Sequence, residues 1–299
     1  MSAVEAAPAP VPRLRAWLLA ARPKTLSAAF APVLVGAALA ARDGLLDLPS
    51  VLLAALGAGA IQIATNLHND YEDFRRGTDD AARVGPRRAA QMGWLTVDDL
   101  RRGTLLAAAV AVLAGAALVL RGGWPIAVAG VASLVAGWSY TGGPRPLAYL
   151  GVADAFVLAF FGVVAVTGTY WVSALRWSGD ALLAGVAVGL LATGILVVNN
   201  LRDRTGDARN GKRTLAVRFG AGFARAEYTA CVLGAFAIFA GLAASDPRLW
   251  LTFAGLPVGA LAIRGVARAE GGALNPWLGR TAALLALESL LFAAGLAWL

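Results

Sequence analysis

A run of acids and amides, Asn66-Leu67-His68-Asn69-Asp70-Tyr71-Glu72-Asp73, is the first place where side chains are spaced for chemistry. On a continuing helix Asn66, Asn69, Asp70 and Asp73 fall at i, i+3, i+4 and i+7 and share one face, while Tyr71 and Glu72 point elsewhere. A second run, Asn199-Asn200-Leu201-Arg202-Asp203 followed by Asp207, sets Asn199, Asp203 and Asp207 at i, i+4 and i+8. Two such carboxylate faces repel each other unless cations lie between them. Mg²⁺ suits them, because it binds one or two carboxylates and completes its shell with substrate phosphates. Arg75, Arg76, Arg83, Arg87 and Arg88 flank the first run, and Arg202, Arg204, Lys212 and Arg213 the second. Carboxylate, divalent metal and basic side chains together describe a diphosphate site.

The elements that must hold these motifs are membrane spans. The 299-residue chain is 59% hydrophobic and 15% charged, with a mean hydropathy of +0.67. Soluble domains average roughly 45–50% and about 25%. Apolar runs of span length are predicted near 25–41, 48–66, 104–120, 124–141, 151–172, 181–199, 222–243, 249–267 and 281–299. The expected fold is therefore an all-α polytopic membrane protein of about nine transmembrane helices. It has a disordered tail at 1–12, a single domain at 13–299, and polar loops at about 67–103 and 200–221. Four spans separate the two acidic runs, so both return to the same side of the bilayer. With the N-terminus cytoplasmic, inside segments hold 22 of the 26 basic residues, and only Arg42, Arg121, Arg176 and Arg248 lie outside. That asymmetry places both motifs at the cytoplasmic face of the membrane. The net charge of +8 is then a topology signal and does not point to nucleic acid. A single cysteine, Cys231, rules out an intramolecular disulfide, and a single histidine, His68, argues against zinc or Ser-His-Asp chemistry. A diphosphate site beside apolar helices implies a donor with a long hydrophobic tail.

At these residues the sequence resembles the UbiA superfamily of intramembrane prenyltransferases. The shared motifs read Asn69-Asp70-Tyr71-Glu72-Asp73 and Asp203-Arg204-Thr205-Gly206-Asp207 here. The strings at 21–38, 66–93, 140–162 and 199–220 are most similar to the branch acting on 1,4-dihydroxy-2-naphthoate. The segments Arg83-Val84-Gly85-Pro86-Arg87 and Gly211-Lys212-Arg213-Thr214-Leu215-Ala216-Val217 favour that branch. The resemblance implies Mg²⁺ on Asp70, Asp73, Asp203 and Asp207, with Asp79 joining through a loop and Asn66, Asn69 and Asn199 in support. It implies a polyprenyl diphosphate donor, 1,4-dihydroxy-2-naphthoate as acceptor, and loss of diphosphate and CO₂ to give demethylmenaquinol. Lys212, Arg83 and Arg202 are expected on the diphosphate or the acceptor carboxylate. Lys24 and Arg22 stand at the start of the first span and are expected to reach the same pocket or to act as interfacial anchors. Tyr140 is expected to shield a cation or orient the acceptor, and Asp154 to find an Arg of the loops. His68 has the wrong helical phase for the acidic face. The alternatives are another acceptor, such as 4-hydroxybenzoate, or a cation-coupled transporter, whose sites sit nearer the bilayer midplane than these span ends.

Overall fold

The structure, a computed structural model, describes residues 11–77, 84–86, 88–144 and 146–297. Residues 1–10, most of the expected tail, lie outside the described residues, as do Asp79 and Arg83. All regular structure among the described residues is helical.

Helix α1 (Arg13–Ala21) ends at Arg22, and a 3₁₀ turn (Pro23–Thr25) redirects the chain into α2 (Leu26–Arg42). Asp47 caps α3 (Leu48–Arg75) by accepting the Ser50 N–H at 3.1 Å. In α4 (Val97–Gly122), Thr96 and Asp99 form a reciprocal capping box. Gly123, at φ +70°, then turns the chain into α5 (Trp124–Thr141). A short α6 (Leu147–Leu150) leads to α7 (Ala153–Leu158), a π-helical segment (Ala159–Val164) and α8 (Ala165–Ala174). Ser178 and Thr214 cap α9 (Gly179–Arg209) and α10 (Leu215–Ser245). A 3₁₀ segment (Pro247–Gly255), α11 (Leu256–Arg268) and α12 (Asn275–Ala297) complete the bundle.

Among the described residues eight helical stretches are long and apolar enough to cross a membrane. Trp124–Thr141, the remaining expected span, is an 18-residue helix whose polar and aromatic ends lower its hydropathy. It nevertheless runs the depth of the bundle. At one end Ile126 packs with Leu118 and Val172, and at the other Thr141 donates a 2.5 Å hydrogen bond to Asn69.

Helices α2, α9, α10 and α12 share the dense part of the core, around Leu39, Leu191, Tyr228, Phe239, Leu284 and Phe292. The Tyr228 and Thr281 hydroxyls pair at 2.8 Å between α10 and α12. Glycine lets the π segment press onto α9: a Cβ on Gly162 would stand 2.3 Å from the Gly185 carbonyl oxygen. Outward faces carry Leu106, Leu113, Leu120, Val131 and Val135, the reverse of a soluble surface. The other half of the bundle, between α2, α3, α4, α5 and the α7–α9 stretch, encloses space instead of core.

Candidate active site

That space is a cavity of about 910 Å³. Along α3 its wall runs from Ala54 to Asp73, which at 1.5 Å per residue is roughly 28 Å of depth, close to a bilayer's hydrocarbon thickness. Most of the wall is small or apolar: Gly57, Ala58, Ala111, Gly115, Gly130 and Gly137, with Phe156, Phe160 and Phe161 opposite. The far end is closed by Leu118, Ile126 and Val172. This floor is fixed in place, since Trp171 Nε1 donates to the Gly122 carbonyl and Arg121 Nε to the Val172 carbonyl. Helix α5 is fully buried only at Ile126 and Thr141, so between its pinned ends it serves as a thin wall.

The charged residues gather at the other end. Asn66, Asn69 and Asp73 of α3 line the cavity together with Asn199, Asp203 and Asp207 of α9. Lys212 joins the two motifs: its Nζ is 3.9 Å from Asp73 Oδ1 and 3.7 Å from Asp207 Oδ1. The same ammonium lies 5.6 Å from the ring centre of Tyr149. Asp73 also accepts a 2.6 Å hydrogen bond from Arg88, whose side chain is almost fully buried. Arg202 chelates Asp203 through Nε and Nη2 and reaches Asn199 and Asn275. Each of these three cations therefore rests on a carboxylate of one of the two motifs.

Among the described residues no three acidic, histidine or cysteine side chains converge as a closed metal cage. The donor set is instead an open one, with Asp73, Asp203 and Asp207 at a cavity mouth. That fits Mg²⁺, whose remaining positions are filled by water or phosphate oxygen.

Several residues stand apart from their sequence expectations. Asp70 accepts the Ala89 backbone N–H at 3.0 Å and is not part of the cavity wall. It anchors the segment that delivers Arg88 to Asp73. Asn66 lines the cavity, but its amide donates to the Ala21 carbonyl and to the Thr25 hydroxyl. Lys24 is exposed and off the cavity wall, while Arg22 is on it. Asp154 is buried, and among the described residues neither of its carboxylate oxygens has a hydrogen-bond partner, so the expected Arg does not reach it. Tyr140 lines the charged end of the cavity. His68 is buried off the acidic face, stacked on Trp138 at 4.1 Å. Gln62, Tyr149, Thr141 and Asn275 escaped the sequence reading. Only Gln62 carried a signal, a lone amide in an apolar run four residues before Asn66.

Residues 29–275 match the model of the UbiA prenyltransferase family. A 1,4-dihydroxy-2-naphthoate octaprenyltransferase of Escherichia coli is 37% identical over 296 residues, covering 96% of each chain. The enzyme of the same description from Mycobacterium tuberculosis is 43% identical over 205 residues, 68% of this chain and 70% of its own. A solved UbiA homolog from Archaeoglobus fulgidus, bound to GPP and Mg²⁺, superimposes with a TM-score of 0.62. It is 15% identical, and the match covers 93% of this chain and 99% of that one.

Proposed function

This chain belongs to the UbiA prenyltransferase family, and on that premise we propose that it transfers a polyprenyl group from a polyprenyl diphosphate to 1,4-dihydroxy-2-naphthoate, giving demethylmenaquinol. One observation carries the reading. Lys212 bridges Asp73 of the first motif and Asp207 of the second at the mouth of a deep apolar cavity. The relatives named for this reaction support the choice of acceptor, and the GPP- and Mg²⁺-bound homolog supports the donor class and the metal.

The donor's tail lies in the cavity, with its diphosphate between the two acidic motifs. Mg²⁺ held by Asp73, Asp203 and Asp207 would bind the diphosphate and stabilise the negative charge that grows on it. Lys212 and Arg202 leave their carboxylates partly or wholly to meet the phosphate oxygens. The allylic C–O bond breaks with its electron pair going to the diphosphate. A ring carbon of the naphthoate forms the new C–C bond, and the electron pair of the ring–carboxylate bond returns to the ring as CO₂ departs. No covalent bond to the protein forms. The apolar walls around Phe156 and Phe160 keep water from the allylic carbon. The split of basic residues supports placing the N-terminus and the charged cavity mouth on the cytoplasmic side of a bacterial plasma membrane.

The test is turnover by the purified protein with Mg²⁺, a polyprenyl diphosphate and either 1,4-dihydroxy-2-naphthoate or 4-hydroxybenzoate. CO₂ release and a prenylated naphthoquinol are expected with the naphthoate. Turnover of 4-hydroxybenzoate alone refutes the assignment.

A further inference from the structure

Arg22 has backbone angles of φ +52° and ψ +69°, a left-handed conformation that arginine seldom adopts. The surroundings hold it there. The Arg22 carbonyl accepts both the backbone N–H and the hydroxyl of Thr25, each at 2.9 Å. The Thr25 hydroxyl oxygen in turn accepts from Asn66 at 3.0 Å and from Gln62 at 3.2 Å. Asn66 also donates to the neighbouring Ala21 carbonyl at 2.9 Å. Two buried amides on α3 are thus spent on fixing the turn between α1 and α2. The outcome is that Arg22 lines the cavity and Lys24, two residues on, is exposed. An observed backbone outlier held by a dedicated network is a reason to look for function in the side chain it aims.

Resting on the reaction proposed above, we infer that Arg22 binds the carboxylate of the aromatic acceptor and that Gln62, Asn66 and Thr25 are positioning residues for it. Arg88, Arg202 and Lys212 each sit on a carboxylate of the donor's acidic motifs. Arg22 comes from a different element, and its turn is braced by neutral amides and a hydroxyl. The acceptor brings its own carboxylate and needs one planar cation to orient the ring. A guanidinium supplies that as a two-pronged hydrogen bond. Tyr140 lines the same end of the cavity, within electrostatic range of Arg22, Asp73 and Asp207.

The experiment measures KM for donor and acceptor separately in wild type, Arg22→Ala, Thr25→Val and Thr25→Ser, with thermal melts to confirm folding. Binding of 1-hydroxy-2-naphthoate and 1-naphthol as acceptor-site competitors gives a readout independent of turnover. Losing a charge-assisted pair is expected to raise the acceptor KM of Arg22→Ala about 10- to 100-fold, with donor KM within about twofold, the usual scatter for a group outside the donor's contacts. The preference for the carboxylated competitor should vanish in the same variant. Thr25→Val should show a smaller rise in acceptor KM, and Thr25→Ser, which keeps the oxygen, should restore it. A rise in donor KM instead would assign Arg22 to the diphosphate. An unchanged acceptor KM in a folded Arg22→Ala would also overturn the inference. Failure of wild type to turn over the naphthoate is a different result, and it removes the reaction on which the inference rests.

Discussion

Replacing Lys212 with methionine keeps most of the side chain's volume and removes its charge. In the structure that charge stands between two carboxylates, 3.9 Å from Asp73 and 3.7 Å from Asp207, with only 17% of the side chain exposed. At such distances one pair is worth about 4 kcal/mol of Coulomb energy at an effective dielectric of 20, before desolvation is subtracted. Removing one partner of a buried pair costs about 3–5 kcal/mol, because the other charge is left uncompensated. Arg88 still holds Asp73 at 2.6 Å, so the low end of that range, about 3 kcal/mol, applies. Spread over a chain of this size, it amounts to roughly 6–12 °C in Tm. A divalent cation would then do what the ammonium did. In EDTA, Lys212→Met should melt several degrees below wild type, and millimolar Mg²⁺ should raise its Tm by more than it raises that of wild type. The assay is a thermal melt in detergent micelles with EDTA, Mg²⁺ or Na⁺ at matched ionic strength. Equal melting of variant and wild type in EDTA, or equal shifts with Mg²⁺, refutes the role of Lys212 as an internal counter-ion.

Asp73→Asn and Asp203→Asn should each lower kcat/KM for the donor by at least about 100-fold; each leaves a buried cation short of its carboxylate, Arg88 or Arg202, so melting should fall by several degrees while size-exclusion elution stays that of the folded protein. Gly162→Ala should destabilise the bundle by about 3 kcal/mol or more, since its Cβ would meet the Gly185 carbonyl and Gly189 Cα at 2.3 and 2.4 Å. Gly241→Ala, which meets nothing within 4 Å, is the matched control and should melt no lower than wild type. At the opposite end of the bundle, burial works against the charge of Asp43, but hydrogen bonds from Tyr170, Arg42 and Arg176 outweigh it and hold the carboxyl below its ordinary value of 3.8. A carboxyl depressed by folding stabilises the protein above its unfolded value and loses that contribution as pH falls through the folded one. The melting temperature of wild type should therefore drop below pH 3.8, and Asp43→Asn should flatten part of that drop while melting lower at neutral pH.

The helices were legible because apolar runs of span length are long-range signals that need no tertiary context. The shared location of the two acidic motifs was legible too, because it depends only on an even number of crossings, and α5 counts as one by running the full depth. Finer placement depended on phase. The cavity face of α3 runs through Ala58, Gln62, Asn69 and Asp73. At about 100° per residue, Asp70 lies about 100° from Asn69 and falls past the edge of that face. The i, i+4 spacing with Asn66 hid this, because Asn66 itself sits near the edge. Which of Arg22 and Lys24 faces the cavity was beyond any pattern. It follows from a positive φ at an arginine, fixed by amides 40 residues further along the chain, and single-residue preferences favour the opposite outcome. A carboxylate in a span is costly, which predicts an Arg partner for Asp154. Among the described residues no Arg reaches its carboxylate oxygens.

The proposed reaction requires the two acidic motifs to act as one metal-dependent diphosphate site. The most direct measurement is Mg²⁺-dependent binding of a non-reactive prenyl diphosphate analogue to wild type, Asp73→Asn, Asp203→Asn and the double variant. Binding to wild type should be strong with Mg²⁺ and weak in EDTA. Either single variant should lose most of the Mg²⁺-dependent part, and the double variant should lose little more, because the site works as a unit. Tight binding in EDTA, or losses that add independently across the two motifs, would contradict it.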